Sequence, residues 1–312
     1  MLDKAHLLQN KYVKKIIEDY LDKKVLKVER FSTGLSHFVF DVVTEDEFTC
    51  VVRMTTPERK DELEAGLYWQ QKLEKVGVFL PTVYRVGQVE NYPFAVYERL
   101  PGIDLEEIYP TLSTKAKENI AHSVAKIQQK VHQLGPHHFA NSPQWSEVLR
   151  IILRRSEREI LKTGLFDKRY VDCVRTEICK YEDYLMGVRP VAFLYDLNIR
   201  NVIVHNEEIS GIIDIDEVWY GDPLLTIGRG KTILLAMRQD TDYIDYWCQY
   251  LDLSEFQVKM VDLYALLYCV RFMGTLGQEL NGNPSLQTDI NSAQHLETIT
   301  IEQLRVLGSS EI

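Results

Sequence analysis

Residues 4–21 place Leu7, Leu8, Tyr12, Ile16, Ile17 and Tyr20 near helical spacing, which predicts an amphipathic opening helix. Three short runs follow, over 25–31, 38–44 and 48–54, and read as strands. Ser32-Thr33-Gly34-Leu35-Ser36 and Glu45-Asp46-Glu47 suit the turns between them. A charged helix over 59–76 ends near Gly77. Strands at 83–89 and 94–97, separated by Glu90-Asn91-Tyr92-Pro93, complete a sheet-rich unit of five strands and one embedded helix. After Leu100-Pro101-Gly102 the pattern turns helical, over 113–134, 145–163, 169–186, 224–237 and 255–280. Two short strands, 201–205 and 209–213, interrupt these helices around Asn206-Glu207-Glu208, and Gly135–Pro143 reads as a loop. The Pro-Gly break predicts an α+β chain in two parts, residues 1–98 and 99–312.

Composition narrows the function. The 45% apolar and 26% charged content of these 312 residues is that of a globular protein with a substantial core. The opening Met1-Leu2-Asp3-Lys4 lacks a signal-peptide pattern, and no apolar run approaches a membrane span, so a cytoplasmic protein is expected. Five scattered cysteines without a C-x-x-C pair read as reduced thiols. A net charge of −10 argues against nucleic acid as a partner. From Asp216 onward there are 14 acidic against 6 basic residues, a field suited to a cationic substrate or simply a solvated surface.

The chemistry concentrates in Leu194-Tyr195-Asp196-Leu197-Asn198-Ile199-Arg200-Asn201 and Gly211-Ile212-Ile213-Asp214. Asn201 lies five residues after Asp196, and Asp214 thirteen beyond that, with strand-like runs between. Alone, each has an ordinary reading: a turn Asp, a loop amide, a helix cap. Together they match what phosphoryl transfer needs, one carboxylate to orient a hydroxyl and an amide plus a carboxylate to hold Mg²⁺ on nucleotide phosphates. No metal-site histidine spacing, nucleophile elbow or Walker-type phosphate loop is present.

These segments, with Ile213-Asp214-Ile215-Asp216-Glu217-Val218-Trp219-Tyr220-Gly221-Asp222-Pro223, resemble the aminoglycoside phosphotransferase family of small-molecule kinases. The resemblance implies a bilobal protein-kinase-like fold, with a small five-stranded antiparallel N-lobe and a larger, mainly helical C-lobe. It implies Asp196 as the catalytic residue and Asn201 and Asp214 as Mg²⁺ ligands. It places the backbone of Gly34, Leu35 and Ser36 over the phosphates of ATP or GTP, and Arg53 against those phosphates. A glutamate of the 59–76 helix is expected to pair with Arg53; Glu62 is favoured over Glu64 by helical facing. Backbone groups of Glu98 and Leu100 are expected on the nucleobase edge, with Tyr97 at the back of the pocket. Two departures concern supporting residues: Leu194-Tyr195 replaces the family's His-Gly, and Thr226 stands where an Asp is common.

The expected activity is transfer of a γ-phosphate to a hydroxyl of a small, cationic molecule such as an aminoglycoside, with Asp216 and Glu217 on the substrate and antibiotic resistance as a possible role. Aromatic residues from Trp219 to Trp247 suit either stacking on a sugar or core packing. Relatives acting on macrolides, choline, methylthioribose, homoserine or hydroxylysine keep other acceptors open. A nucleotide-binding pseudokinase, suggested by the missing His-Gly, is the alternative of a different class. A protein kinase is disfavoured, because D-F-G and A-P-E segments are absent.

Overall fold

The structure, a computed structural model, describes residues 2–31, 37–135, 143–276, 279–280, 283–284 and 290–309. It opens with α1 (Leu2–Leu21), β1 (Val25–Arg30), β2 (Phe38–Thr44), β3 (Thr49–Met54), α2 (Lys60–Lys75), β4 (Val83–Val89) and β5 (Tyr92–Glu98). The five strands form one antiparallel sheet in the order β1-β2-β3-β5-β4. Strand alternation decides which face is which. Phe40, Val42, Cys50, Val52 and Met54 point to one side and enclose a core with Val13, Ile16 and Ile17 of α1. Arg53 and Tyr97 therefore share the opposite side, across from Ala95 and Val51 in the β3–β5 register. Strand β5 starts earlier than the sequence suggests, because the turn closes over Glu90-Asn91 with Glu90 at φ 53°.

Gly102 makes the passage to the helical part possible. Its φ is 106°, and a Cβ there would lie 2.1 Å from the Val204 carbonyl oxygen. Beyond it come β6 (Ile103–Asp104), α3 (Leu105–Ile108), α4 (Thr114–Val131), α5 (Trp145–Thr163), α6 (Arg169–Cys179), α7 (Glu182–Gly187), β7 (Val191–Leu194), β8 (Val202–His205), β9 (Glu208–Ile212) and β10 (Val218–Gly221). The chain closes with α8 (Leu224–Ala236), α9 (Asp242–Tyr250), α10 (Glu255–Thr275), the short pair β11 (Glu279–Leu280) and β12 (Asn283–Pro284), and α11 (Ile290–Val306).

Helix α10 is the axis of the second core. It starts at a Ser254–Gln257 capping box and is buried almost continuously from Met260 to Val270, so its sequence shows little amphipathic periodicity. It ends at Thr275, five residues before the expected limit, because Leu276 is already extended. The single helix expected over 169–186 is two, α6 and α7, separated at Lys180-Tyr181. Among the described residues no helix is long and apolar enough to cross a membrane.

Candidate active site

Strand β7 delivers the chain to Asp196, and β8 leaves from Asn201. Between them Leu197 and Ile199 are fully buried, which anchors the loop and turns its polar residues outward. Asn198 ties the loop together. Its Nδ2 donates to the Asp196 carbonyl at 3.1 Å and to the Asp196 carboxylate, and its Oδ1 accepts from the Arg200 N–H at 2.9 Å. The Asn201 Nδ2 also donates to the Asp196 carbonyl, at 2.8 Å, so the amide oxygen is its remaining polar atom and an acceptor. The turn Asn206-Glu207, with both residues left-handed (φ 51° and 63°), folds β9 back on β8. Ile213 then donates its N–H to the Asn201 carbonyl at 2.9 Å.

Asp214 follows at φ 55°, a conformation that costs a non-glycine residue free energy and recurs at functional sites. Asp196, Asp214 and Glu217 line one narrow pocket. Desolvation raises the Asp214 carboxyl above its ordinary range; Arg53 opposes this, and the negative charges of Asp216 and Asp196 add to it. Desolvation likewise raises Glu217, with the charge of Asp196 adding and Arg229 opposing. The site thus holds more negative charge than its side chains balance.

Arg53 meets this cluster from the sheet, and its partner differs from the expected one. Its guanidinium grips Asp216 through both Nη atoms, one at 3.0 Å, and reaches Asp214 at 3.4 Å. Burial alone would lower the Arg53 pKa, but the carboxylates of Asp216 and Asp214 hold it above the ordinary value. Glu62 instead bonds Arg59 at 2.9 Å and approaches His37 at 3.9 Å. Among the described residues it is linked to Arg53 through His37 and Asp216, which are 3.4 Å apart. The reason lies in α2: where the helix passes Asp216 it carries Gly66, and a Cβ there would come within 2.3 Å of the Asp216 Oδ1. The helix supplies space rather than a carboxylate, and Asp216 fills it from the other lobe. Asp216, expected on the substrate, has its carboxylate on His37 and Arg53, which hold it below its ordinary range against the effect of burial.

Gly66→Ala tests this contact. Ala is the better helix former by about 1 kcal/mol, yet overpacking of this kind typically costs about 1–3 kcal/mol. A net loss of stability is expected in urea melts, whereas Gly187→Ala, with no atom within 4 Å of the added Cβ, should be neutral or stabilising.

Arg229 of α8 carries no motif and escaped the sequence reading. Its guanidinium bonds the Asp196 carboxylate and lies over the rings of Tyr195 and Tyr268, 5.1 and 5.9 Å from their centroids. Burial would lower its pKa, but Asp196 and the two tyrosines hold it above the ordinary value. Tyr195 stacks on Trp219, ring centroids 4.0 Å apart and 11° from parallel, and accepts a hydrogen bond from the Tyr268 hydroxyl at 2.8 Å. Thr226 donates to the Leu194 carbonyl at 2.9 Å, and Gln128 accepts from the Leu194 N–H at 3.1 Å. The two departures, Tyr195 and Thr226, thus belong to a brace around the loop.

The remaining expected nucleotide contacts are mixed. Gly34, Leu35 and Ser36 lie outside the described residues. Tyr97 lies against Arg53, and burial raises its hydroxyl pKa. Glu98 donates its backbone N–H to the Thr82 carbonyl at 2.8 Å, and its carboxylate accepts from the Thr82 N–H and hydroxyl. That N–H is therefore not a donor for a base edge. The Leu100 carbonyl accepts from Arg99 at 3.3 Å. Among the described residues no group of three or more His, Cys, Asp or Glu side chains forms a metal cage. One buried amide and one exposed carboxylate fit Mg²⁺ better, since it usually takes few protein ligands and completes its shell with phosphate and water.

The profile of the phosphotransferase enzyme family matches residues 27–254. No curated protein sequence matches the chain. Solved structures resemble it in fold. The GDP and kanamycin complex of APH(2'')-IIIa superposes with a TM-score of 0.70 at 16% identity, over 95% of this chain and 98% of that one. The streptomycin–ATP ternary complex of APH(2'')-IIa gives 0.64 at 15% identity, over 93% and 97%. ADP-bound APH(2'')-Ib gives 0.63 at 16%, over 94% and 98%.

Proposed function

Since the chain belongs to the phosphotransferase enzyme family, we propose that it moves the γ-phosphate of ATP or GTP to a hydroxyl of a small molecule. The observation that carries this reading is the convergence of Asp196 and Asp214 on one crevice, with Asn201 fixed to the Asp196 carbonyl. In this reading residues 1–98 form the nucleotide lobe and 99–312 the catalytic lobe. Nucleotide-bound relatives in the same fold support a nucleoside triphosphate donor.

Asn201, through its amide oxygen, and Asp214 would hold Mg²⁺. That ion would supply positive charge to offset the charge of the phosphates. The excess negative charge around Asp214 favours such a cation. Arg53 adds a fixed positive charge from the nucleotide lobe, positioned by Asp216 rather than by Glu62. Asp196 orients the acceptor hydroxyl and takes its proton as the new P–O bond forms and the bond from the γ-phosphorus to the bridging oxygen breaks, releasing the nucleoside diphosphate; Arg229 fixes the carboxylate in place. The 34–36 backbone is assigned to the phosphates and the Glu98–Leu100 segment to the base.

A strongly cationic acceptor receives less support than the composition suggests. Of the carboxylates in the acidic C-terminal third, Asp216 is held by Arg53, Asp240 by Lys117 at 2.6 Å and Asp262 by Lys231 at 2.5 Å. Asp222 accepts hydrogen bonds from Tyr184 and Tyr264, each at 2.7 Å. Glu217 is the acidic group left facing Asp196. The brace around Tyr195 also weakens the pseudokinase reading, whose basis was a loop without support.

Asp214→Ala tests the metal assignment. In calorimetry the parent should bind the nucleotide more tightly with Mg²⁺ than with EDTA, and the variant should show no such difference. An unchanged Mg²⁺ response in a folded variant would remove Asp214 from the site.

A further inference from the structure

A groove of about 340 Å³ runs between the start of α5 and β10. Helix α5 contributes Trp145, Val148 and Ile151, and β10 contributes Val218, Trp219 and Tyr220; no described lining residue is charged. We propose that this groove binds an apolar, uncharged portion of the acceptor molecule, so that the substrate is a hydroxyl compound with a hydrophobic arm rather than a polycation. The inference rests on the phosphotransferase reading above and adds to it a substrate class.

Three observations carry it. The first is nearness to the reacting centre. Trp219 forms a wall of the groove and stacks on Tyr195, the residue before Asp196; Arg229 covers Tyr195 and grips the Asp196 carboxylate. The groove is therefore two ring layers from the guanidinium that fixes the catalytic carboxylate.

The second is rigidity. The Trp145 Nε1 donates to the Tyr264 hydroxyl at 2.8 Å, and Tyr264 donates in turn to Asp222 at 2.7 Å. The Trp145 ring lies so close to Gly221 that a Cβ there would come within 2.0 Å of it. Residue 221 must be glycine for the indole to form this wall. An aromatic wall fixed before binding loses little freedom when a ligand arrives.

The third is the match of size and polarity. The volume falls at the lower end of small-molecule sites, roughly 300–1,000 Å³. Ile151 keeps 48% of its surface exposed at the groove, an apolar group that a ligand would cover. An ammonium group placed there would find no carboxylate among the described lining residues to offset its desolvation.

The test uses n-alkyl β-glucosides from methyl to hexyl, which share one hydroxylated head and differ only in the apolar tail. Their affinities are measured by calorimetry in the presence of Mg²⁺ and a non-hydrolysable nucleotide. Each methylene that the groove encloses should tighten binding by about fourfold, and at least tenfold is expected between methyl and hexyl in the parent. Ile151→Glu should abolish that increment while leaving nucleotide affinity unchanged. If this variant does not fold, near-isosteric Val148→Thr replaces it and should reduce the increment. Equal affinities along the series, no measurable binding of the hexyl compound, or an increment that survives in a folded Ile151→Glu would overturn the proposal. Nucleotide binding is read in the same titrations. A flat series with intact Mg²⁺-dependent nucleotide binding therefore rejects the groove alone, whereas lost nucleotide binding in the parent rejects the phosphotransferase reading.

Discussion

Asp196→Ala is expected to lower turnover by about 10²- to 10⁴-fold, the range that a positioned general base contributes, while nucleotide affinity changes little. The separation follows from geometry. Asp196 touches Asn198 and Arg229 within the loop, whereas the proposed ligands of the metal and phosphates are Asn201, Asp214 and Arg53. Alanine also strands the Arg229 guanidinium, although Tyr195 and Tyr268 still cover it. Asp196→Asn is the cleaner variant, because its amide oxygen can still accept from Arg229. Both should show the same loss of turnover, with the greater loss of thermal stability in the alanine variant. The check is acceptor-dependent release of nucleoside diphosphate, alongside calorimetric nucleotide affinity. Equal turnover in parent and variants would dismiss Asp196 as the base.

Asp216→Ala should destabilise the protein by about 3 kcal/mol, the lower part of the range for removing one partner of a buried pair. Only 12% of the Arg53 side chain and 18% of the Asp216 side chain is exposed. The variant leaves the guanidinium with the weaker 3.4 Å contact to Asp214 and leaves His37 without its nearer carboxylate. Nucleotide affinity should fall too, because Arg53 loses the group that aims it. Glu62→Ala is the contrast. Its bond to Arg59 joins side chains 48% and 33% exposed, and pairs of that kind contribute about 0–1 kcal/mol. Denaturant melts of the two variants decide between the partners: a larger loss in Glu62→Ala would restore the helix glutamate and remove Asp216 from the role.

The sequence carried the local part of this site well and the long-range part poorly. Asp196, Asn201 and Asp214 fall in one stretch whose intervening strands are short and apolar, so the hairpin that assembles them was legible from spacing alone. The sheet was legible for a similar reason: period-two burial in β2 and β3 decides that Arg53 faces away from α1. Its partner was not, because Arg53 and Asp216 are 163 residues apart and no local pattern joins them. The signal was negative, a glycine on the helix where a carboxylate was sought. Arg229 was hidden in the same way, since one of two cations in a mostly apolar helix names no partner until Tyr195, Tyr268 and Asp196 are seen around it. Helix α9 and strands β7 and β10 were missed because each is too short for its periodicity to stand out.

Asp196, Asn201 and Asp214 are proposed to serve a single Mg²⁺-nucleotide complex. A crystal structure with Mg²⁺ and a non-hydrolysable nucleoside triphosphate measures this directly. The ion is expected about 2.0–2.1 Å from the Asn201 amide oxygen and an Asp214 carboxylate oxygen, with the Asp196 carboxylate facing the γ-phosphate across room for one hydroxyl. A nucleotide bound elsewhere, or an ion held without either side chain, would contradict it.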